Sequence, residues 1–206
     1  MTDSYLTIVK AVKGSFKDKG SKFLAYAYPL KSEDEIKGYL LALKKEHHSA
    51  RHHCFAWQLG ADKTHFRTND DGEPPSSAGK PILGQIRRLN LSDILIVVVR
   101  YFGGTLLGVS GLIHAYREAA ADALKHAEII EKFVEIPFWV KFDYLRINPV
   151  MKIFKEKDLP QQKNEFDLRC RIRSAIRQSE ADQIFACFRE IEGVEIQIIK
   201  RCGSCQ

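Results

Sequence analysis

The chain has 206 residues, 45% hydrophobic and 28% charged, with a net charge of +6. That balance excludes a disordered chain and suits one large domain or two small ones. No apolar run approaches the roughly 20 residues of a membrane-spanning helix, and the opening MTDSYLTIVK lacks a basic stretch followed by an apolar one. A cytoplasmic protein with no membrane partner is expected.

Residues 5–12 and 15–30 alternate with β-rich content and read as two strands around a Lys13-Gly14 turn. Ser32 then caps a helix, with Glu35 completing a capping box and Ile36, Tyr39, Leu40 and Leu43 forming the apolar stripe. Residues 54–59 read as a strand, and 65–67 belong to a further one. Residues 81–89 look helical. The run SDILIVVVR (92–100), continuously apolar over 94–99 rather than alternating, suits the middle of a sheet covered by helices. A glycine-rich loop (103–108) leads into a long helix over 110–127. A second pattern begins near Lys132. It reads as a strand (134–144), a helix (145–157), a short strand (159–163), a strand (165–173), a helix capped by Ser179 (179–190) and a strand (194–200). This β-α-β-β-α-β order is that of ferredoxin-like domains. The expected architecture is α+β in two domains, 1–131 and 132–206.

The stretch TNDDGEPPSSAGKPIL (68–83) carries three carboxylates, Asp70, Asp71 and Glu73, within four residues. Their spacing is not that of a calcium loop. On spacing alone a rigid turn is favoured, with Asp71-Gly72 supplying the bend and Pro74-Pro75 the exit. Lys80 sits at a helix start, where small residues and free amides suit an anion. The stretch from Arg100 through Gly103 and Gly104 to Ser110 is a strand end, a glycine loop and a helix start, the place where α/β sheets hold ligands. Together the two corners define a candidate groove lined by Asp70, Asp71, Glu73, Lys80, Arg100, Gly103, Gly104 and Ser110. No metal site and no cofactor follow from these residues. His47 and His48 end a helix, and His52 and His53 start a strand and point oppositely, which argues against a metal cluster.

The clearest basic stretch, LRCRIRSAIR (168–177), alternates, so Arg169, Arg171 and Arg173 share one strand face. That face is either a solvated sheet surface or an RNA-binding one. Cys54, Cys170 and Cys187 lie in apolar surroundings and read as small core residues. Cys202 and Cys205 form a C-x-x-C near the C-terminus that reads as a frayed tail.

The blocks ARHHCFAW (50–57), NDDGEPPSSAGKPIL (69–83) and VVVRYFGGTLLGVSGLIHAY (97–116) resemble, in order and spacing, the signature blocks of the YigZ/IMPACT family. The resemblance covers residues 1 to about 130. It implies an N-terminal domain similar to the second domain of a small-subunit ribosomal protein. The remainder resembles a bacterial C-terminal extension similar to the fifth domain of elongation factor G. Eukaryotic IMPACT relatives regulate translation under amino-acid starvation, and nucleic-acid binding is the usual suggestion for bacterial members. The resemblance therefore implies a regulatory module with RNA, the ribosome or a translation-associated protein as partner. An enzyme acting on a phosphorylated or carboxylated small molecule in the groove, and an adaptor without pocket chemistry, stand as alternatives. The family supplies no catalytic set. This chain departs from the family pattern at Pro75, Ser76, Leu106, Ser110 and His114; Ser76 stands where a glycine is common.

Overall fold

The computed structural model describes residues 3–199. Its secondary structure divides into two compact units, one ending at Lys132 and the other beginning at Phe133. The C-x-x-C of Cys202 and Cys205 lies outside the described residues.

The first unit is built on a five-stranded sheet. In chain order its strands are β2 (Val12–Asp18), β3 (Ser21–Pro29), β4 (His52–Leu59), β5 (His65–Asn69) and β6 (Ile94–Tyr101), and in space they run β2-β3-β6-β4-β5. A separate short pair joins β1 (Ser4–Ile8) to β7 (Ile129–Phe133). The continuous apolar run becomes central β6, antiparallel to both β3 and β4. Its residues alternate between two cores: Ile94, Ile96 and Val98 on one face, Leu95, Val97 and Val99 on the other. Helix α1 (Asp34–Glu46) covers the second face, placing Ile36 and Leu43 against Tyr26, Trp57 and Val97. Helices α2 (Gly79–Arg88) and α3 (Gly108–Lys125) cover the first, through Ile82, Ile86, Leu112, Tyr116 and Ala119. A strand covered on both faces has no polar side to present, which is why β6 does not alternate with polar residues.

Two local expectations are corrected. Lys13-Gly14 is not a turn: both residues lie inside β2, paired with Tyr26 and Ala25. A Cβ on Gly14 would sit 2.2 Å from the backbone N of Ala123, so this glycine lets α3 cross β2 closely. The turn is Lys19-Gly20, both at positive φ (42° and 81°), joining Asp18 to its pair Ser21. Ser32 is not the α1 cap either. The residue before the helix is Glu33, with no side-chain capping bond, although the Glu35 carboxylate does reach back to the Lys31 N–H at 3.0 Å.

The second unit follows with β8 (Glu135–Asp143), α4 (Ile147–Glu156), β9 (Lys163–Glu165), β10 (Arg169–Arg177), α5 (Ala181–Arg189) and β11 (Glu195–Ile198). The sheet order is β11-β8-β10-β9, all antiparallel, the ferredoxin-like arrangement. Phe138, Val140, Cys170 and Ile172 pack against Val150, Phe154, Phe185 and Phe188. Strand β10 begins four residues later than the alternation suggests, and β9 likewise; Leu159, expected in the short strand, packs into the core before it. A 3₁₀ turn at Gln178–Glu180 precedes α5, so the helix starts after Ser179 and has no side-chain cap at Glu180.

Candidate functional site

The acidic loop leaves β5 at Asn69 and turns back toward α2. Asp71 (φ 41°) and Gly72 (φ 87°) make the bend. The Asp70 carboxylate accepts hydrogen bonds from three backbone amides. Oδ2 takes Ser76 N–H at 2.8 Å; Oδ1 takes Ala78 N–H at 3.0 Å and Gly79 N–H at 2.8 Å. Ala78, the residue before α2, has no capping side chain, so Asp70 caps the helix from eight residues upstream. To be held there, Ser76 adopts φ 66°, a left-handed conformation costly for a residue with a Cβ. This is the position at which the family resemblance makes glycine the common residue.

Asp71 faces β4. Its Oδ2 accepts the His53 backbone N–H at 2.7 Å, and its carbonyl lies 2.9 Å from His52 Nδ1. Lys44 Nζ stands 4.0 Å from Oδ1. Glu73 turns fully inward. Its Oε1 accepts Arg100 Nη1 at 2.7 Å and Tyr116 O–H at 2.8 Å, and both ionic side chains are almost fully buried, 4% and 7% exposed. The Arg100 guanidinium lies 5.6 Å from the ring centres of Phe23 and Phe102, and its Nε makes no hydrogen bond. Cys54 Sγ is 3.0 Å from the Asp70 carbonyl and 3.2 Å from Tyr116 Oη. Burial pushes both the Cys54 thiol and the Tyr116 phenol well above their ordinary values, so neither is an ionised nucleophile at neutral pH.

The structure thus joins Asp70, Asp71, Glu73 and Arg100 in one hydrogen-bonded block. Lys80 and Ser110 are elsewhere. They are exposed on the first turns of α2 and α3 and, among the described residues, share no ion pair or hydrogen bond with the carboxylates. Gly103 serves packing: a Cβ there would lie 1.9 Å from the Gly20 carbonyl carbon, so the loop rests on the β2–β3 turn. Gly104 (φ 87°) supplies the bend into α3. Among the described residues no group of three or more His, Cys, Asp or Glu is placed to hold a metal ion.

The sequence reading missed Tyr116, the hydroxyl between Cys54 and Glu73; it lies on the buried stripe of α3, where a tyrosine needs a partner for its hydroxyl. It also missed a second polar cluster under α1. The His47 ring lies between Tyr26 Oη, 2.6 Å from Nε2, and Tyr101 Oη, 2.9 Å from Nδ1. Burial raises the Tyr26 pKa, helped by Glu46 and Tyr101, and lowers that of nearby His53, which burial keeps neutral against the pull of Asp71.

In the second unit Arg169, Arg171 and Arg173 all point to the open face of β10, opposite Asp143, Lys141 and Trp139 on β8. The Arg171 guanidinium stacks 4.8 Å from the Trp139 ring centre. Arg171 and Lys163 hold Glu165 between them, and the Arg171 hydrogen bond keeps that carboxyl below its ordinary range. Arg169 and Arg173 have no ion pair among the described residues. Glu195 of β11 stands beside Lys141, so the face is mixed in charge with a cationic excess along β10.

These features define an α+β protein of two units whose signature loop is an internal electrostatic clamp. The Impact N-terminal domain model matches residues 19–124. The IMPACT family member YvyE of Bacillus subtilis (strain 168) is 31% identical over 156 residues, 76% of this chain and 72% of that protein. The chain belongs to the IMPACT family. It is also similar to the Protein IMPACT homolog of Saccharomyces cerevisiae, 32% identical over 52% of this chain and 43% of that one. A crystal structure of a hypothetical protein, 25% identical, covers 97% of this chain and 99% of its own with a TM-score of 0.76.

Proposed function

We infer that this chain is a binding and regulatory module linked to translation, with RNA or the ribosome as its partner. One observation carries the reading: every carboxylate of the acidic loop is already engaged within the fold. Asp70 is held by three amides, Asp71 by His53, and Glu73 by Arg100 and Tyr116. Asp70 and Glu73 are taken up in holding the loop, and only the Asp71 Oδ1 is left toward solvent, which suits a structural loop better than acid–base or metal-assisted chemistry. Membership of the IMPACT family, whose eukaryotic members the sequence resemblance marks as regulators of translation, supports the link to that process. The surface offered to RNA is the β10 face, where Arg173 lies opposite Trp139, Arg171 stacks on it, and Arg169 extends the row of cations. Arginines meet phosphates, and an aromatic ring on an open sheet provides a stacking surface for a base.

The test is co-sedimentation with ribosomes and binding of a single-stranded RNA across a salt series, comparing the parent with an Arg169→Glu/Arg173→Glu variant. The variant is expected to bind more weakly and to reduce the slope of log affinity against log salt by about 0.7 for each phosphate it no longer neutralises. Unchanged sedimentation and slope would remove this face from the proposal.

A further inference from the structure

Strand β5 ends the five-stranded sheet, paired with β4 on one side only. His65, Phe66 and Arg67 are exposed, so this part of the edge presents backbone N–H and C=O groups with no strand beside them among the described residues. Such an edge is a template for an added strand. On the α1 side of the sheet, a groove of about 320 Å³ opens beside that edge. Ile36 and Leu40 of α1 and Phe55 and Trp57 of β4 give it an apolar floor. Its rim is cationic: Lys37 and Lys44 from the helix, Arg67 from the edge strand. Arg67 pairs with Trp57 in register, so its side chain leaves the sheet on the same face as the floor. The one acid of the lining, Glu33, is 3.0 Å from His65 Nε2. Lys37 and Arg67 have no ion pair among the described residues, and Lys44 reaches only Asp71, at 4.0 Å.

We propose that this groove docks an extended acidic peptide of a partner protein, which adds a strand to β5. Alternate side chains of such a strand point to one face. Apolar residues two apart would enter the space between α1 and β4, and carboxylates two further on would meet Lys37, Lys44 and Arg67. The main chain supplies affinity through the edge, and the apolar and acidic positions supply selectivity. The acidic character follows from the rim, which carries three cations against one acid already facing a histidine. The surface lies wholly in the first unit and does not involve the β10 face.

The experiment is an NMR titration of the isotope-labelled full chain with the probe peptide acetyl-Asp-Ser-Leu-Ser-Phe-Ser-Asp-amide. Amide shifts at Phe66 and Arg67 of β5 and at Lys37 and Leu40 of α1 are expected, with a Kd of about 1 mM or tighter. A Lys37→Glu/Arg67→Glu variant, altered only at exposed side chains, is expected to bind at least tenfold more weakly with an otherwise unchanged spectrum. N-methylation of alternate peptide amides is expected to abolish the shifts along β5. Equal binding of the lysine-for-aspartate peptide overturns the proposal, as does the absence of shifts at β5 and α1. Perturbation of the same residues by an oligouridine, or by raising the concentration of the chain alone, overturns it in favour of nucleic acid or self-association. An Arg169→Glu/Arg173→Glu chain should give the parent's titration, so the outcome here is separable from that for the RNA face.

Discussion

Strands β6 and β10 each carry arginine, and their surroundings are opposite. Arg100 of β6 lies between two packed layers, bound to Glu73 and flanked by Phe23 and Phe102. Arg171 of β10 lies on the sheet face that α4 and α5 do not cover, stacked on Trp139 and sharing Glu165 with Lys163. The chemical groups are the same; the solvent is not. A buried guanidinium must keep its carboxylate, because neither charge can be rehydrated in place. An exposed one loses little when its partner goes and stays available to a ligand. The Glu73–Arg100 pair therefore holds the signature loop in shape, while the β10 arginines stay at the solvent surface.

The largest effect that would break this contrast is at Glu73. Glu73→Ala strands Arg100 in the core and is expected to cost about 3–5 kcal/mol in urea unfolding. The paired Glu73→Leu/Arg100→Met change should recover most of that loss, since well-packed apolar replacements of a buried pair are often close to neutral. A single Glu73→Ala variant as stable as the parent would mean that the pair is solvated. Next comes Asp70→Ala, which leaves the Ser76, Ala78 and Gly79 amides without their acceptor. A loss of about 1–3 kcal/mol is expected, with faster hydrogen exchange at those three amides; unaltered exchange would show that water caps α2 equally well. The smallest effect is at Ser76. Ser76→Gly relieves a left-handed conformation and is expected to raise stability by about 0.5 kcal/mol, the strain relieved less the added freedom of the unfolded chain. A lowered urea midpoint would contradict that assignment.

Much of the architecture was legible because its signals are local. The apolar run 94–99 had strand length, β-branched content and no polar face, which suits a central strand. The β-α-β-β-α-β order of the second unit emerged from changes of period along the chain. The alternation of Arg169, Arg171 and Arg173 placed them on one face, as observed. Glycines were read less well. Gly14 looked like a turn residue and proved to be a gap for α3, and Gly103 a gap for the β2–β3 turn. Nothing within a few residues of a glycine says whether it bends the chain or admits a neighbour.

The sequence by itself determined most of the order of elements, the α+β class and the family, through periodicity and three motif blocks whose spacing survives without coordinates; it did not show β7 or the division of residues 4–29 into three strands. Only the tertiary structure decided what the acidic loop does. Asp70, Asp71 and Glu73 look equivalent in a line of text, yet one caps a helix, one holds a strand amide and one neutralises an arginine 27 positions away. The groove beside β5 was likewise invisible, because α1 and β5 are brought together only when β4 pairs with β6. A carboxylate's role depends on which donors the fold delivers to it, and those donors come from elements that are distant in the chain.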